Sequence, residues 1–464
     1  MQPIVQTTQG AVRGTTDEGV SVFMGIPYAA PLDGVRRFQA PQQPQPWDGT
    51  RDATAFSASP PQAQMHPLPA LWHPGEDTDC LSVNVWTPDP LANGLPVMVW
   101  FYGGAFIFGA ASQPEYDGAN LARAGVVVVT LNYRTGFEGL GWLPDAPQNR
   151  ALLDQLAALR WVQENIRSFG GAPDNVTIFG QSAGGSAVAA LTAAEAGRGL
   201  FGRAIGQSVT AAFLSEERAR GTAVRIAAAL GVPLTSEAFA GVASEAIHAV
   251  QSTEGEVTPY GLVIDGDVVR DQPWRSLRAD VDLMTGFTRD EYRFFAMAMN
   301  EDLSAVDVAD VAATHGVPLD AYRAAYPGTS DADLYILIQS DAFFRIPSTW
   351  CAQEHPGRSW CYELTWPTPV FGGALGACHL LDVPLTFGNF RGPMAAMLFG
   401  DSLPPEAIEL AEEVRKSLTT FAATGDPGWP EYRRGEALTR IWDTPVSVVA
   451  DPVSASREIW ARKV

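Results

Sequence analysis

The chain has 464 residues, 46% hydrophobic and 18% charged, a balance that supplies a large core and excludes a disordered chain. Its net charge of −21, from 52 acidic and 31 basic side chains, disfavours nucleic acid and anionic membranes, which need clustered Lys and Arg. Lys416 and Lys463 are the only lysines, so a lysine nucleophile or Schiff base has almost nowhere to sit.

In chain order, Met1 to Gln6 lacks a basic segment leading into an apolar stretch, and no run of about 18 apolar residues follows. The expectation is a cytoplasmic protein with no membrane span. Phe56 to Gly75, rich in Pro, Ala and His, reads as a long surface loop. Val97 to Tyr102 reads as a buried strand ending in Gly103-Gly104, and Val126 to Asn132 as a second strand. Leu152, Leu156, Leu159, Val162 and Ile166 recur at helical spacing. Val176 to Phe179 is a third strand running straight into Gly180. Further strands are expected at Leu283 to Gly286 and Trp360 to Leu364. Between these last two, Glu291 to Phe344 reads as helical, Ala- and Met-rich, and suited to cap a site. This alternation predicts an α/β fold with a mostly parallel sheet flanked by helices. No linker composition breaks it, so residues 1–464 read as one domain.

Gly180-Gln181-Ser182-Ala183-Gly184 fits G-x-S-x-G between a strand and a small-residue helix, Ser186 to Ala190. The pentapeptide alone is more often a glycine-rich turn with an idle serine. In this context a sharp strand-to-helix turn would hold the Ser182 hydroxyl exposed above the sheet. The helix N-terminus beneath it favours developing negative charge.

Longer segments carry a resemblance. Phe169 to Gly184 (FGGAPDNVTIFGQSAG) is similar to the active-site signature of the type-B carboxylesterase family, which includes cholinesterases and bacterial p-nitrobenzyl esterases. Asp79 to Val85 resembles that family's E-D-C-L-x-L-N-V, departing at Thr78. The likeness continues through Gly25 to Pro31, Leu131 to Gly136, Leu152 to Ile166 and Ala423 to Tyr432, nearly the whole chain. It implies the α/β-hydrolase fold, hydrolysis of carboxylic esters through an acyl-enzyme, and no metal or organic cofactor. The implied partner is a small ester substrate. Carbamate or amide hydrolysis with the same triad is the alternative, and a non-catalytic, cholinesterase-like interaction protein a distant one.

The resemblance also implies site residues. Tyr102-Gly103-Gly104-Ala105-Phe106 is similar to the family's oxyanion turn, making the N–H groups of Gly104, Ala105 and Ala183 the donors. Among six histidines (His66, His73, His248, His315, His355 and His379), His379 follows a strand where the hydrolase chain order places the base. Gly376 to Pro384 resembles G-A-x-H-G-x-E-L-P, departing at Leu380 where Gly is usual. Position alone leaves Asp290 and Glu291 open as the acid; the family's G-x-x-x-D-E-G favours Glu291, with Tyr292 replacing the Gly. Ser208 is similar to a family serine that positions the acid. Extracellular relatives bridge the cysteine matching Cys80, but Ser59 to Gln62 offers no partner. Cys378, beside His379, reads as small-residue packing. Phe106, Phe108, Phe294 and Phe295 are candidates for an apolar pocket wall, with ordinary core the other reading.

Overall fold

The structure, a computed structural model, describes residues 2–65, 68–251, 259–400 and 402–461. His66 and Lys463 lie outside the described residues. Runs of Val, Ile and aromatic residues build an eleven-stranded sheet. Its strands are β1 (Thr15–Asp17), β2 (Val20–Pro27), β3 (Ser82–Thr87), β4 (Leu95–Phe101), β5 (Val127–Leu131), β6 (Gly171–Gln181), β7 (Arg203–Gln207), β8 (Asp282–Thr288), β9 (Ser359–Leu364), β10 (Leu438–Trp442) and β11 (Ser447–Ala450). Their spatial order is β11-β10-β9-β8-β7-β6-β4-β5-β3-β2-β1. Every contact from β10 across to β5 is parallel, whereas β3, β2, β1 and β11 add antiparallel edges. Strands of the parallel block are covered on both faces, which is why β5 reads VVVTL without polar alternation.

The expected strands are all present. The edge strands were not anticipated: β11 is exposed along its whole length and so lacks an apolar signal. His379 precedes the two last strands of the sheet, β10 and β11. It still lies after β9, as the hydrolase order requires.

Helix α1 (Arg150–Asn165) buries Leu152, Leu156, Leu159 and Val162 against the sheet. Helix α2 (Ala183–Ala193) starts at the end of β6 and is buried almost throughout. The 291–344 segment forms α3 (Glu291–Ala298), α4 (Val308–Thr314), α5 (Leu319–Ala325) and α6 (Asp331–Ser340). A π-helical turn, Asp341–Arg345, joins it to α7 (Ile346–Glu354). The described residues of 56–75 carry no helix or strand. No described helix is long and apolar enough to cross a membrane.

Strand order reverses around β4: β5, which follows it in sequence, lies on one side, and β6 on the other. In open α/β sheets, ligands bind beyond the carboxyl ends of strands at such a switch point. The ends of β4 and β6 carry Gly103-Gly104 and Ser182.

Candidate active site

Strand β6 ends at Gln181, and Ser182 turns the chain into α2 with φ 59° and ψ −122°. A serine in this region is strained, and the strain persists because both flanking elements are locked in the core. The flanking glycines are dictated by contact. A Cβ on Gly184 would sit 2.0 Å from the Phe101 carbonyl oxygen, and one on Gly180 2.7 Å from the same atom. Gly184→Ala is therefore expected to destabilise the protein by about 3 kcal/mol, since backbone cannot move aside as a side chain can. A urea midpoint unchanged from wild type would contradict that close approach.

Beyond β4, Gly104, Ala105 and Phe106 all have positive φ, at 117°, 51° and 60°. A Cβ on Gly104 would lie 2.1 Å from the Phe108 oxygen, so only glycine fits there. The Gly104 carbonyl accepts the N–H groups of Ile107 and Phe108 at 2.9 and 3.1 Å, closing the turn. The N–H groups of Gly104, Ala105 and Ala183 find no protein acceptor among the described residues. With no acceptor of their own, these three N–H groups are free to donate to an incoming oxygen. Gln62 clamps the turn to the 56–75 loop: its Nε2 donates to the Gly109 carbonyl at 2.9 Å, and Gly109 N–H donates back to Oε1 at 2.8 Å.

Glu291 opens α3 just past β8, and His379 lies in the turn after β9; both are buried. His379 Nδ1 is paired with Glu291 Oε2. The carboxylate's other oxygen accepts Ser208 Oγ at 2.6 Å and the Thr288 N–H at 2.9 Å. With Nδ1–H donating to the carboxylate, Nε2 is left as an acceptor. Nε2 faces the end of β6, 3.2 Å from Gln181 Nε2 and one residue from Ser182. The amide of Gln181 thus occupies the imidazole's free edge, a contact that sequence reading did not foresee.

The same geometry separates the two acids that position left open. Asp290 Oδ2 accepts the Ala377 N–H at 3.0 Å, and its Oδ1 lies 3.4 Å from Arg293. Asp290 therefore supports the 376–377 turn rather than the imidazole. Tyr292 enters the helix without positive φ, its N–H donating to Ser340 Oγ at 3.0 Å. Leu380, standing where glycine is usual, keeps a φ of 73°. That left-handed conformation costs a leucine about 1–2 kcal/mol, offset by its burial in the core.

The other described histidines are engaged elsewhere or exposed. His73 is exposed. His248 Nε2 lies 3.9 Å from Glu138, and His315 bonds Gln339 at 2.6 Å. His355 is within 2.7 Å of the Val281 carbonyl. The 291–344 segment supplies aromatic walls to His379: ring centroids of Phe344, Phe295 and Phe294 lie 4.5, 5.0 and 6.4 Å from the imidazole. Phe106, in contrast, is core, at 1% exposure. All four cysteines are free and buried. Burial pushes the Cys378 thiol far above its ordinary range, so it packs rather than reacts.

Asp382 is a buried acid whose role the sequence did not reveal. Its Oδ2 accepts Gln207 Nε2 at 2.9 Å and Tyr362 OH at 3.3 Å. Burial, with the Glu291 charge adding to it, pushes the carboxyl up to about 6 from an ordinary 3.8. The folded state holds this proton at pH values where the unfolded chain has lost it. Stability from this group is therefore present below about pH 4 and lost as pH rises towards 6, a swing of about 3 kcal/mol at most. Asp382→Asn cannot ionise and keeps an oxygen for both donors. Its stability relative to wild type should rise between pH 4.5 and 7.5 in urea unfolding. Any constant cost of burying the amide affects both measurements equally, so a pH-independent difference would refute the assignment.

A strained serine at a strand-to-helix turn, a glycine-rich turn beyond the neighbouring strand and a buried His–Glu pair define a serine hydrolase of the α/β-hydrolase fold. The Carboxylesterase family model matches residues 1–444, and the chain belongs to that family. It is 35% identical to the para-nitrobenzyl esterase of Bacillus subtilis (strain 168), over 98% of each chain. It is 32% identical to the phenmedipham hydrolase of Pseudarthrobacter oxydans, over 97% of each. Among solved structures, a Geobacillus stearothermophilus carboxylesterase superposes with a TM-score of 0.89 at 32% identity, covering 98% of this chain and 99% of that one. A para-nitrobenzyl esterase structure gives 0.87 at 34%, covering 99% of both. The chain is a carboxylic ester hydrolase.

Proposed function

We propose that Ser182 is the nucleophile, His379 the general base and Glu291 the acid that orients it, acting on small neutral carboxylic esters. The observation that carries this reading is the buried Glu291–His379 pair, whose Nε2 faces the residue preceding a strained serine. His379 Nε2 takes the Ser182 proton as Oγ attacks the ester carbonyl. Negative charge on the carbonyl oxygen is met by the N–H groups of Gly104, Ala105 and Ala183. Collapse expels the alcohol, protonated by the imidazolium, and leaves an acyl-enzyme. Water activated by the same imidazole releases the acid. Ser208 is a positioning residue, holding the Glu291 oxygen that does not face the imidazole. The helical region within 291–344 caps the site of a single domain, and the protein works in the cytoplasm.

The test is hydrolysis of p-nitrophenyl esters from acetate to decanoate by the full-length protein. Turnover with a defined chain-length optimum is expected. A folded protein inactive on every ester would overturn the triad reading.

A further inference from the structure

Ser208, which bonds the Glu291 oxygen turned away from the imidazole, is itself strained: its φ is 50°, and it is fully buried. A serine persists in that region only where its surroundings fix it. Four successive N–H groups do so, each bonded to a different group. Ser208 N–H donates to the Gly286 carbonyl of β8 at 2.7 Å, and Val209 N–H to Ser348 Oγ at 2.9 Å. Thr210 N–H donates to Ser186 Oγ of α2 at 2.9 Å, and Ala211 N–H to the Phe343 carbonyl at 3.0 Å.

Two of these four acceptors come from the π-helical turn and the start of α7, and Pro347 explains why one of them is available. Proline has no N–H, so the Phe343 carbonyl four residues back lacks its helical donor. The helix widens there: Ile346 N–H reaches the Asp341 carbonyl five residues back, the bond of a π-turn. The Phe343 carbonyl, left over, accepts Ala211 instead. Ser348 is fully buried, and its Oγ accepts from the loop that carries Ser208. The same segment reaches the acid's own helix, where Ser340 Oγ accepts the N–H of Tyr292, the residue after Glu291, at 3.0 Å.

We propose that the segment from Ser340 to Ser348 is a brace for the triad's acid. Ser348 Oγ and the Phe343 carbonyl, freed by Pro347, hold Ser208 in its strained conformation and thereby hold its hydroxyl on Glu291. Ser348 and Pro347 are positioning residues, acting on the imidazole through Ser208 and Glu291. A misplacement of about 1 Å in such a chain can cost on the order of 100-fold in rate. The inference rests on the triad reading for its effect on turnover, but not for its effect on the loop.

Ser348→Ala leaves the Val209 N–H without its acceptor. Its kcat for p-nitrophenyl acetate, per site labelled to completion with a fluorophosphonate, should fall about tenfold with KM unchanged, which equals about 1.4 kcal/mol. Counting labelled sites removes any loss that comes from unfolded protein. In a Ser208→Ala background the same substitution should cost nothing further, because its effect passes through the Ser208 hydroxyl. Pro347→Ala, which offers the Phe343 carbonyl a helical donor in competition with Ala211, should show the same pattern and serves if the first variant does not fold. In the variant that serves, a wild-type kcat per site, or a loss undiminished in the Ser208→Ala background, would overturn the proposal. Hydrogen exchange over residues 208–211 reads the brace without turnover: it should quicken in the variant, and a wild-type exchange rate would count equally against the brace. If Glu291→Gln keeps the wild-type kcat while that exchange quickens, the triad reading fails and the brace on the loop stands.

Discussion

Ser182→Ala is expected to lower kcat for p-nitrophenyl acetate by on the order of 10⁴ to 10⁶ while leaving the fold intact. The size of the loss follows from covalent catalysis: without Oγ no acyl-enzyme forms, and only the oxyanion donors and substrate binding remain. Alanine removes one oxygen from a residue that is 6% exposed, so no cavity of consequence opens. The variant should unfold at the wild-type urea midpoint or above it, because the hydroxyl is not what holds the turn. Steady-state kinetics on purified variant, with an active-site titration of the wild type, make the comparison. Residual activity within tenfold of wild type would place the nucleophile elsewhere.

Glu291→Gln should cost about 10³ to 10⁴ in kcat with little change in KM. The carboxylate makes three contacts at once: His379 Nδ1, the Ser208 hydroxyl and the Thr288 N–H. An amide of the same shape can accept at only one of its two ends. Whichever end faces the imidazole, either the ring loses its anionic partner or an N–H meets an N–H. The second outcome drives the proton to Nε2 and removes the base. Loss of the charge also leaves the imidazolium unsupported in a buried site. The rate of Ser182 labelling by a fluorophosphonate should fall in parallel, since that reaction uses the same base. Parallel loss separates failure of the base from a defect in substrate binding. A Glu291→Gln enzyme with wild-type labelling would contradict the assignment, and Asp290, which supports the 376–377 turn, is the natural control.

Much of this site was legible because its chemistry demands unusual residues at fixed places. Gly180 and Gly184 stand where the Phe101 backbone excludes a Cβ, so the pentapeptide reports a contact as well as a turn. The parallel strands were readable from unbroken apolar runs, since both of their faces are covered. Edge strands such as β11 were not, because four exposed residues carry no periodic signal. The choice between Asp290 and Glu291 needed three dimensions: adjacent carboxylates diverge at a helix start, and only the path of the 376–377 turn shows which one meets the imidazole. Asp382 and Gln181 stayed hidden for a related reason. Their significance lies in what surrounds them, a second buried acid and a ring nitrogen, and both neighbours are far away in sequence. Leu380 shows the converse, a departure from the glycine pattern whose backbone nonetheless keeps the positive φ.

The distances along the chain have a consequence for how activity arises. Glu291 and His379 are 88 residues apart, and Gln181 and His379 are 198 apart. Each group sits at or just beyond the end of a different strand of the parallel block, so none is in register until β4, β6, β7, β8 and β9 have docked side by side. Pairings of such sequence separation close late, after the local helices have formed. In a refolding experiment, recovery of esterase activity should therefore trail the return of helical circular dichroism. During synthesis, a ribosome-bound chain ending before residue 379 should hold secondary structure yet turn over no ester.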